Sequence, residues 1–129
     1  MGGPQNWCQA NLEWNLALDS KFGPTPRPDS AAAGLVVVQT NFNEVKFERE
    51  FYGLAQMSRA ARPGSKHIEA SFKGAAPDGM DIVAFALPDG QTSLVVFNQK
   101  ETEQSFQVEA DGKFFDYAAP KHSIATFVW

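Results

Sequence analysis

The sequence predicts a mainly β protein: an antiparallel β-sandwich of about six to eight strands with one α-helix and no complete barrel. Two observations lead to this fold class. From residue 66 onward, short apolar runs recur roughly every ten residues with turn signals between them, a spacing typical of sandwiches and small barrels. Around residues 47–62, by contrast, apolar residues repeat at the helical spacing.

Length and composition indicate an ordinary globular chain. It has 129 residues, of which 43% are hydrophobic and 20% charged, enough to build a core without metal or disulfide staples. A net charge of -4 with scattered basic residues argues against a nucleic-acid surface. The single cysteine, Cys8, cannot form an intrachain disulfide and is expected to be a small core residue. No apolar run reaches the roughly 18 residues of a membrane span, and the N-terminus lacks a signal-peptide pattern.

The first predicted region is residues 1–33. Apolar side chains alternate with other residues from 12 to 18, which predicts a strand. The spacing of Trp7, Asn11 and Trp14 leaves a helix open as the alternative. A loop rich in Gly, Pro and Ser follows. Three outcomes stay open for residues 1–33 without a barrel: a flexible segment, packing on the sheet, or pairing with another chain.

The second predicted region, residues 34–65, contains a strand, a turn and a helix. The β-branched run at 35–40 predicts the first strand, and Val45–Phe47 is expected to return as a second one. The helix should end at Pro63-Gly64. Its apolar face is expected to carry Phe47, Phe51, Leu54, Ala55 and Ser58.

The third region, residues 66–129, is predicted to be the sandwich, and residues 34–129 are expected to fold as one unit. Pro88-Asp89-Gly90 and Asp111-Gly112 are turn signals. The second and third strands are apolar on both faces, so we expect them at the centre of a sheet. Strands are predicted at His67–Phe72, Asp81–Leu87, Ser93–Asn98, Ser105–Glu109, Lys113–Tyr117 and Ser123–Trp129.

Three segments resemble a known enzyme family. Asn11–Asp19 reads Asn-Leu-Glu-Trp-Asn-Leu-Ala-Leu-Asp, Phe51–Arg59 is followed by the Arg-Pro-Gly-Ser of residues 62–65, and His122–Trp129 closes the chain. In this order and spacing they resemble the C-terminal third of glycoside hydrolase family 30, the glucosylceramidase-like enzymes. The resemblance implies a parent with a (β/α)8 barrel beside a β-sandwich. It also implies retaining hydrolysis of glucosylceramide, other β-glucosides or xylan-type polymers.

The resemblance also assigns parts of the chain. It makes Leu12–Asp19 the last barrel strand, the helix around Phe47–Arg62 the last barrel helix, and the rest the sandwich. A complete barrel takes about 250 residues, so this chain cannot contain one. The family's two catalytic glutamates lie on earlier strands and have no counterpart here, so no catalytic residue is predicted. Trp14 matches a tryptophan that helps to wall the sugar subsite, and it is the one substrate-binding residue carried over.

Other residues offer little catalytic chemistry. Glu13 and Asp19 flank Trp14, but on an extended strand they would lie about 20 Å apart, whereas a retaining pair needs about 5–5.5 Å. His67 and His122 have no partners at metal-ligand spacing, so neither a metal site nor a cofactor is expected. Two further acidic pairs are interpreted as solvated surface: Glu48 with Glu50, and Glu101 with Glu103.

The predicted function is therefore the sandwich part of a retaining β-glycosidase, non-catalytic alone. The parent would take a carbohydrate or glycolipid substrate and would be secreted or periplasmic. The alternative is a carbohydrate-binding or protein-interaction β module, suggested by the adjacent aromatics Phe114, Phe115 and Tyr117. At least one of these should face away from the core, because strand side chains alternate. Residues 11–19 could dock on a barrel domain or self-associate as an unpaired strand.

Overall fold

A computed structural model describes residues 2–6, 8–13, 15–24, 34–39, 41, 43–75 and 77–129. These residues form nine strands and two helices with no closed barrel among them, so the predicted mainly β class is confirmed. The elements are α1 (Gly2–Gln5), β1 (Ala17–Asp19), β2 (Val36–Val38), β3 (Val45–Phe47), α2 (Arg49–Ala60), β4 (Lys66–Ile68), β5 (Met80–Ala86), β6 (Thr92–Asn98), β7 (Gln104–Ala110), β8 (Lys113–Ala119) and β9 (Ser123–Val128).

The chain divides into two compact units. One comprises residues 1–8 with 56–129, and the other comprises residues 9–55, so the division falls within α2. The predicted regions, with boundaries after residues 33 and 65, stay a prediction, because compactness alone does not define a domain that folds independently.

The unit of residues 9–55 contains a small mixed sheet. Its strand order is β1-β2-β3, with β1 parallel to β2 and β3 antiparallel to it. The strand predicted across residues 12–19 is shorter in the structure, where β1 comprises only Ala17–Asp19. Just before it, the carbonyls of Asn15 and Leu16 still accept hydrogen bonds from the N–H groups of Leu35 and Val36. Gly34 permits the close approach of these strands, since a Cβ there would lie 3.0 Å from the backbone N of Leu18.

The predicted helix is confirmed as α2, with slightly different ends. Phe47 belongs to β3 rather than to the helix, and the helix ends at Ala60, ahead of Pro63, whose ring cannot continue it. The last turn of α2 packs through Met57 and Ala60 on the sheet of the sandwich unit.

The core of the sandwich unit lies on both faces of a four-stranded sheet. Its order is β4-β5-β6-β9, antiparallel throughout. The two strands predicted to be central, now β5 and β6, do lie between β4 and β9. One face, with Val83, Phe85 and Val95, packs against the end of α2. The opposite face, with Ala84 and Val96 among others, packs against the β7–β8 hairpin.

The hairpin turns where the sequence predicted. Asp111 and Gly112 connect β7 to β8 and both have positive φ, 50° and 73°, as a tight hairpin turn requires. Phe115 and Tyr117 contact Phe127 of the sheet, with ring centroids 5.0 and 5.1 Å apart. Phe114 is 57% exposed, so the prediction that one of these aromatics faces away from the core is confirmed.

Three details differ from the predictions. The strand predicted at His67–Phe72 is the shorter β4, because the chain leaves β5 after Ile68. Cys8 is exposed rather than in the core. The short helix α1 has no signal in its Gly-Gly-Pro-Gln sequence, and a contact from Gln5 to β5 ties it to the sheet.

Candidate functional site

The predicted sugar platform, Trp14, lies outside the described residues, so its role stays a prediction. Its neighbour Glu13 is exposed and accepts a hydrogen bond from Nδ2 of Asn11 at 2.9 Å. The apolar side chains of Leu12 and Leu16 nearby are exposed, at 94% and 70%.

Asp19, at the end of β1, organises a turn. Its Oδ1 accepts hydrogen bonds from the backbone N–H groups of Gly23 and Lys21, both at 2.8 Å. These bonds, that of Gly23 first, lower the pKa of the Asp19 carboxyl. A general acid needs a raised pKa so that it holds its proton near neutral pH. The lowered pKa of Asp19 therefore does not suit that role.

Asp89 has the same character in the β5–β6 turn. The backbone N–H of Gln91 and the guanidinium of Arg62, which donates to Oδ2 at 2.7 Å, lower the pKa of the Asp89 carboxyl. Arg62 follows α2, so this exposed ion pair joins the helix end to the turn. We assign it a structural role.

The other predicted acidic pairs lie mostly at the surface. Glu50, Glu101 and Glu103 are exposed, and Glu48 is partly buried beside Lys46 at 2.8 Å. Nε2 of His122 lies 2.9 Å from Glu101. In the described part of the chain, no three His, Cys, Asp or Glu side chains come together to hold a metal ion. No helix of that part is long and apolar enough to cross a membrane.

A buried asparagine that the sequence analysis did not single out orders one end of the sandwich. The side chain of Asn98, at the end of β6, is fully buried. Its Nδ2 donates to the carbonyls of Thr102, Ala119 and Pro120 at 2.9 to 3.1 Å, and its Oδ1 accepts from the N–H of Lys100 at 3.0 Å. Buried polar groups need such hydrogen-bond partners. The sequence gives no sign of them, because a single Asn at the end of a strand does not indicate which carbonyls lie nearby.

The described residues of the sandwich unit form a groove and a cleft. A groove of about 380 Å³ runs along the hairpin, lined by Phe106, Asp116 and Tyr117 among others. A larger cleft of about 670 Å³ lies beside β5. It opens where β4 stops pairing, which the sequence could not indicate because it reads as one continuous strand to Phe72. The cleft is lined by Gln5, His67, Glu69, Ala70, Phe72, Met80, Asp81, Ile82 and Val83.

In the described residues, a four-stranded sheet packs against a hairpin on one face and the end of α2 on the other, which is the layered arrangement of a β-sandwich. Residues 64–127 match the family described as the glycosyl hydrolase family 30 beta sandwich domain. This match confirms the resemblance to glycoside hydrolase family 30 over residues 64–127.

Two named enzymes are similar in sequence to almost the whole chain. It is 24% identical to the endo-1,6-beta-D-glucanase BGN16.3 of Trichoderma harzianum and 26% identical to an endo-1,6-beta-D-glucanase of Neurospora crassa, each over 99% of this chain. These matches cover only 27% and 28% of the two enzymes, so the chain spans about a quarter of their length.

Solved structures give the same result. The endo-beta1,6-glucanase BT3312 superposes with a TM-score of 0.88 at 26% identity, covering 99% of this chain and 28% of that one. SrfJ from Salmonella typhimurium superposes with a TM-score of 0.80 at 25% identity, covering 90% of this chain and 25% of its own.

Proposed function

We propose that this chain is the sandwich-bearing part of a retaining β-glycosidase that acts on β-1,6-glucan, and that it does not hydrolyse glycosides alone. One observation carries the proposal: the fold matches a glucanase over 99% of this chain but over only 28% of that enzyme. A (β/α)8 barrel needs about 250 residues, and retaining hydrolysis needs two carboxyl groups about 5–5.5 Å apart.

The substrate class follows the named relatives. Both curated relatives are endo-1,6-β-glucanases, which moves the expectation from glucosylceramide toward a β-1,6-linked glucan. A polymeric glucan does not cross a membrane unaided, so we infer that the whole enzyme is secreted or periplasmic. Trp14 is proposed to stack on a sugar ring when the barrel is complete.

Residues 11–19 are proposed to dock on the remaining barrel. The support is the exposure of Leu12 and Leu16, together with the position of β1 at the edge of its sheet. Exposed apolar side chains beside an open strand edge are costly in water and favour a partner. Self-association through the same segment is the competing outcome.

Complementation tests this proposal. The chain is mixed with the separately produced remainder of a family 30 glucanase, and release of reducing ends from β-1,6-glucan is measured. Activity should need both parts. It should fall with Leu12→Asp/Leu16→Asp and persist with the matched control Val45→Asp, an exposed apolar residue of β3 at the other edge of the same sheet. Activity that survives the double leucine variant would contradict docking through residues 11–19.

An alternative function, carbohydrate binding by the sandwich, has one specific observation in its favour. Phe114 presents an exposed ring on the outer face of the hairpin, and aromatic rings stack on sugars. Retention of the chain on immobilised β-1,6-glucan, lost in Phe114→Ala, would favour this alternative. Equal elution of the unmodified chain and the Phe114→Ala variant would contradict carbohydrate binding through Phe114.

A further inference from the structure

One strand of the central sheet is paired on both sides over only part of its length. β5 pairs with β6 from Met80 to Ala86, but β4 pairs with it only at Ala84–Ala86. In the part of the chain that the structure describes, Met80–Val83 therefore has a strand neighbour on one side only. An edge of this kind can template the addition of another extended chain.

A side chain already makes one hydrogen bond of the kind that an added strand would make. Nε2 of Gln5 donates to the carbonyl O of Ile82 at 3.0 Å. Gln5 and Ile82 both line the cleft beside β5. The amide of Gln5 thus occupies an acceptor that a backbone N–H could use.

The cleft has room for a short peptide. Its volume of about 670 Å³ lies within the range of roughly 300–1,000 Å³ that is usual for ligand sites. Four extended residues beside Met80–Val83 would span about 13 Å. The side chains of Phe72, Met80 and Ile82 belong to the apolar cluster on one face of the sheet, and they would contact every second side chain of such a peptide.

The negative charge of the cleft favours basic side chains at the remaining positions of the peptide. Glu69 and Asp81 line it, and none of its described lining residues is Lys or Arg. Because strand side chains alternate, Asp81 points to the face opposite Met80 and Ile82. Its Oδ2 accepts a hydrogen bond from Nε2 of Gln99 at 2.7 Å, which leaves the negative charge of Asp81 unneutralised, so a cationic residue is favoured there. A second copy of the same edge would bring like charges together, which is unfavourable.

From these observations we propose that the Met80–Val83 edge binds, by strand addition, an extended peptide segment in which basic residues alternate with apolar ones. The site is independent of the proposed glycosidase function. The backbone of β5 would hydrogen-bond the peptide, and the side chains around Phe72 would contact its apolar residues. Asp81 and Glu69 would favour its basic residues.

The test is a titration of the full 129-residue chain, labelled with ¹⁵N, with end-blocked six-residue peptides. The first alternates valine with lysine, the second alternates valine with glutamate, and the third is the lysine peptide with N-methylated backbone amides. The lysine peptide should shift the amide signals of residues 80–83. The glutamate peptide should bind at least about 10-fold more weakly, as expected for unfavourable charge pairing, and the N-methylated peptide should not bind.

Three variants sharpen the test. Gln5→Ala removes the competing donor and should tighten binding about 3-fold, in line with the modest net value of one hydrogen bond. Gln107→Ala, which removes an exposed glutamine bound to Asp116 at 2.9 Å, should leave binding unchanged. Asp81→Lys should reverse the preference toward the glutamate peptide.

Several results would overturn the proposal. These are no shifts with the lysine peptide, equal binding of the N-methylated peptide, and indifference to the charge of the peptide. Two further results would do the same: concentration-dependent shifts of residues 80–83 caused by self-association, or shifts caused by a β-1,6-gluco-oligosaccharide when the lysine peptide gives none.

Discussion

At the scale of single residues, polar side chains in this protein hold turns and loops. Asp19 binds two backbone N–H groups of its own loop, and Asp89 binds the backbone of Gln91 together with Arg62. The sequence suggested the turn around Asp89 but gave no role for Asp19 beyond its place near Trp14. Such contacts depend on where the chain turns back, and residue type alone does not specify this.

The first prediction concerns acid stability. The folded pKa values of Asp19 and Asp89 are lowered, so each ionised carboxyl stabilises the fold above its unfolded pKa of about 3.9. That stabilisation is lost as the pH falls through the lowered folded value. The variant Asp19→Asn/Asp89→Asn should be less stable at pH 7 and should lose less stability below about pH 4. Urea unfolding at a series of pH values measures this, and parallel curves for the two proteins would contradict it.

The second prediction concerns the buried amide. Asn98→Ala leaves the carbonyls of Ala119 and Pro120 without their side-chain donor. We expect a loss of about 1–3 kcal/mol in the free energy of unfolding, the usual cost of unsatisfied buried polar groups. Gln107→Ala, at an exposed site, should change it by less than about 0.5 kcal/mol. Similar values for both variants in chemical denaturation would show that the Asn98 network contributes little.

At the scale of elements, the spacing of apolar residues and the turn residues were sufficient to predict the strands of the sandwich. β5 and β6 were predicted to be central because they are apolar on both faces, and the Asp-Gly turn of β7–β8 appears where expected. The strands predicted at residues 12–19 and His67–Phe72 were too long, because the extent of a strand depends on which neighbour is present. Tertiary pairing is not encoded in local alternation.

The third prediction contrasts two glycines. Gly53 lies within α2 and a Cβ there meets no atom within 4 Å, so Gly53→Ala should stabilise the protein by about 0.5–1 kcal/mol. Gly112 is equally open but has φ of 73°. Gly112→Ala should therefore destabilise it by roughly 1 kcal/mol through backbone strain alone. Thermal unfolding of both variants measures the contrast, and shifts of the same sign would refute it.

At the scale of the whole molecule, the family could be inferred from three short segments, and the sandwich match supports it. The particular substrate could not be inferred from these segments. The cleft beside β5 was also beyond prediction, because it results from the early end of β4. The same gap in pairing exposes the strand edge that we propose as a peptide site.

The most direct test of the account is the hydrolysis of β-1,6-glucan by the purified 129-residue chain, with a complete family 30 glucanase as the positive control. The account predicts no release of reducing ends above a matched blank. Turnover that co-purifies with the chain and survives repeated chromatography would contradict it. Such a result would mean that carboxyl groups of this chain assemble a catalytic pair by themselves.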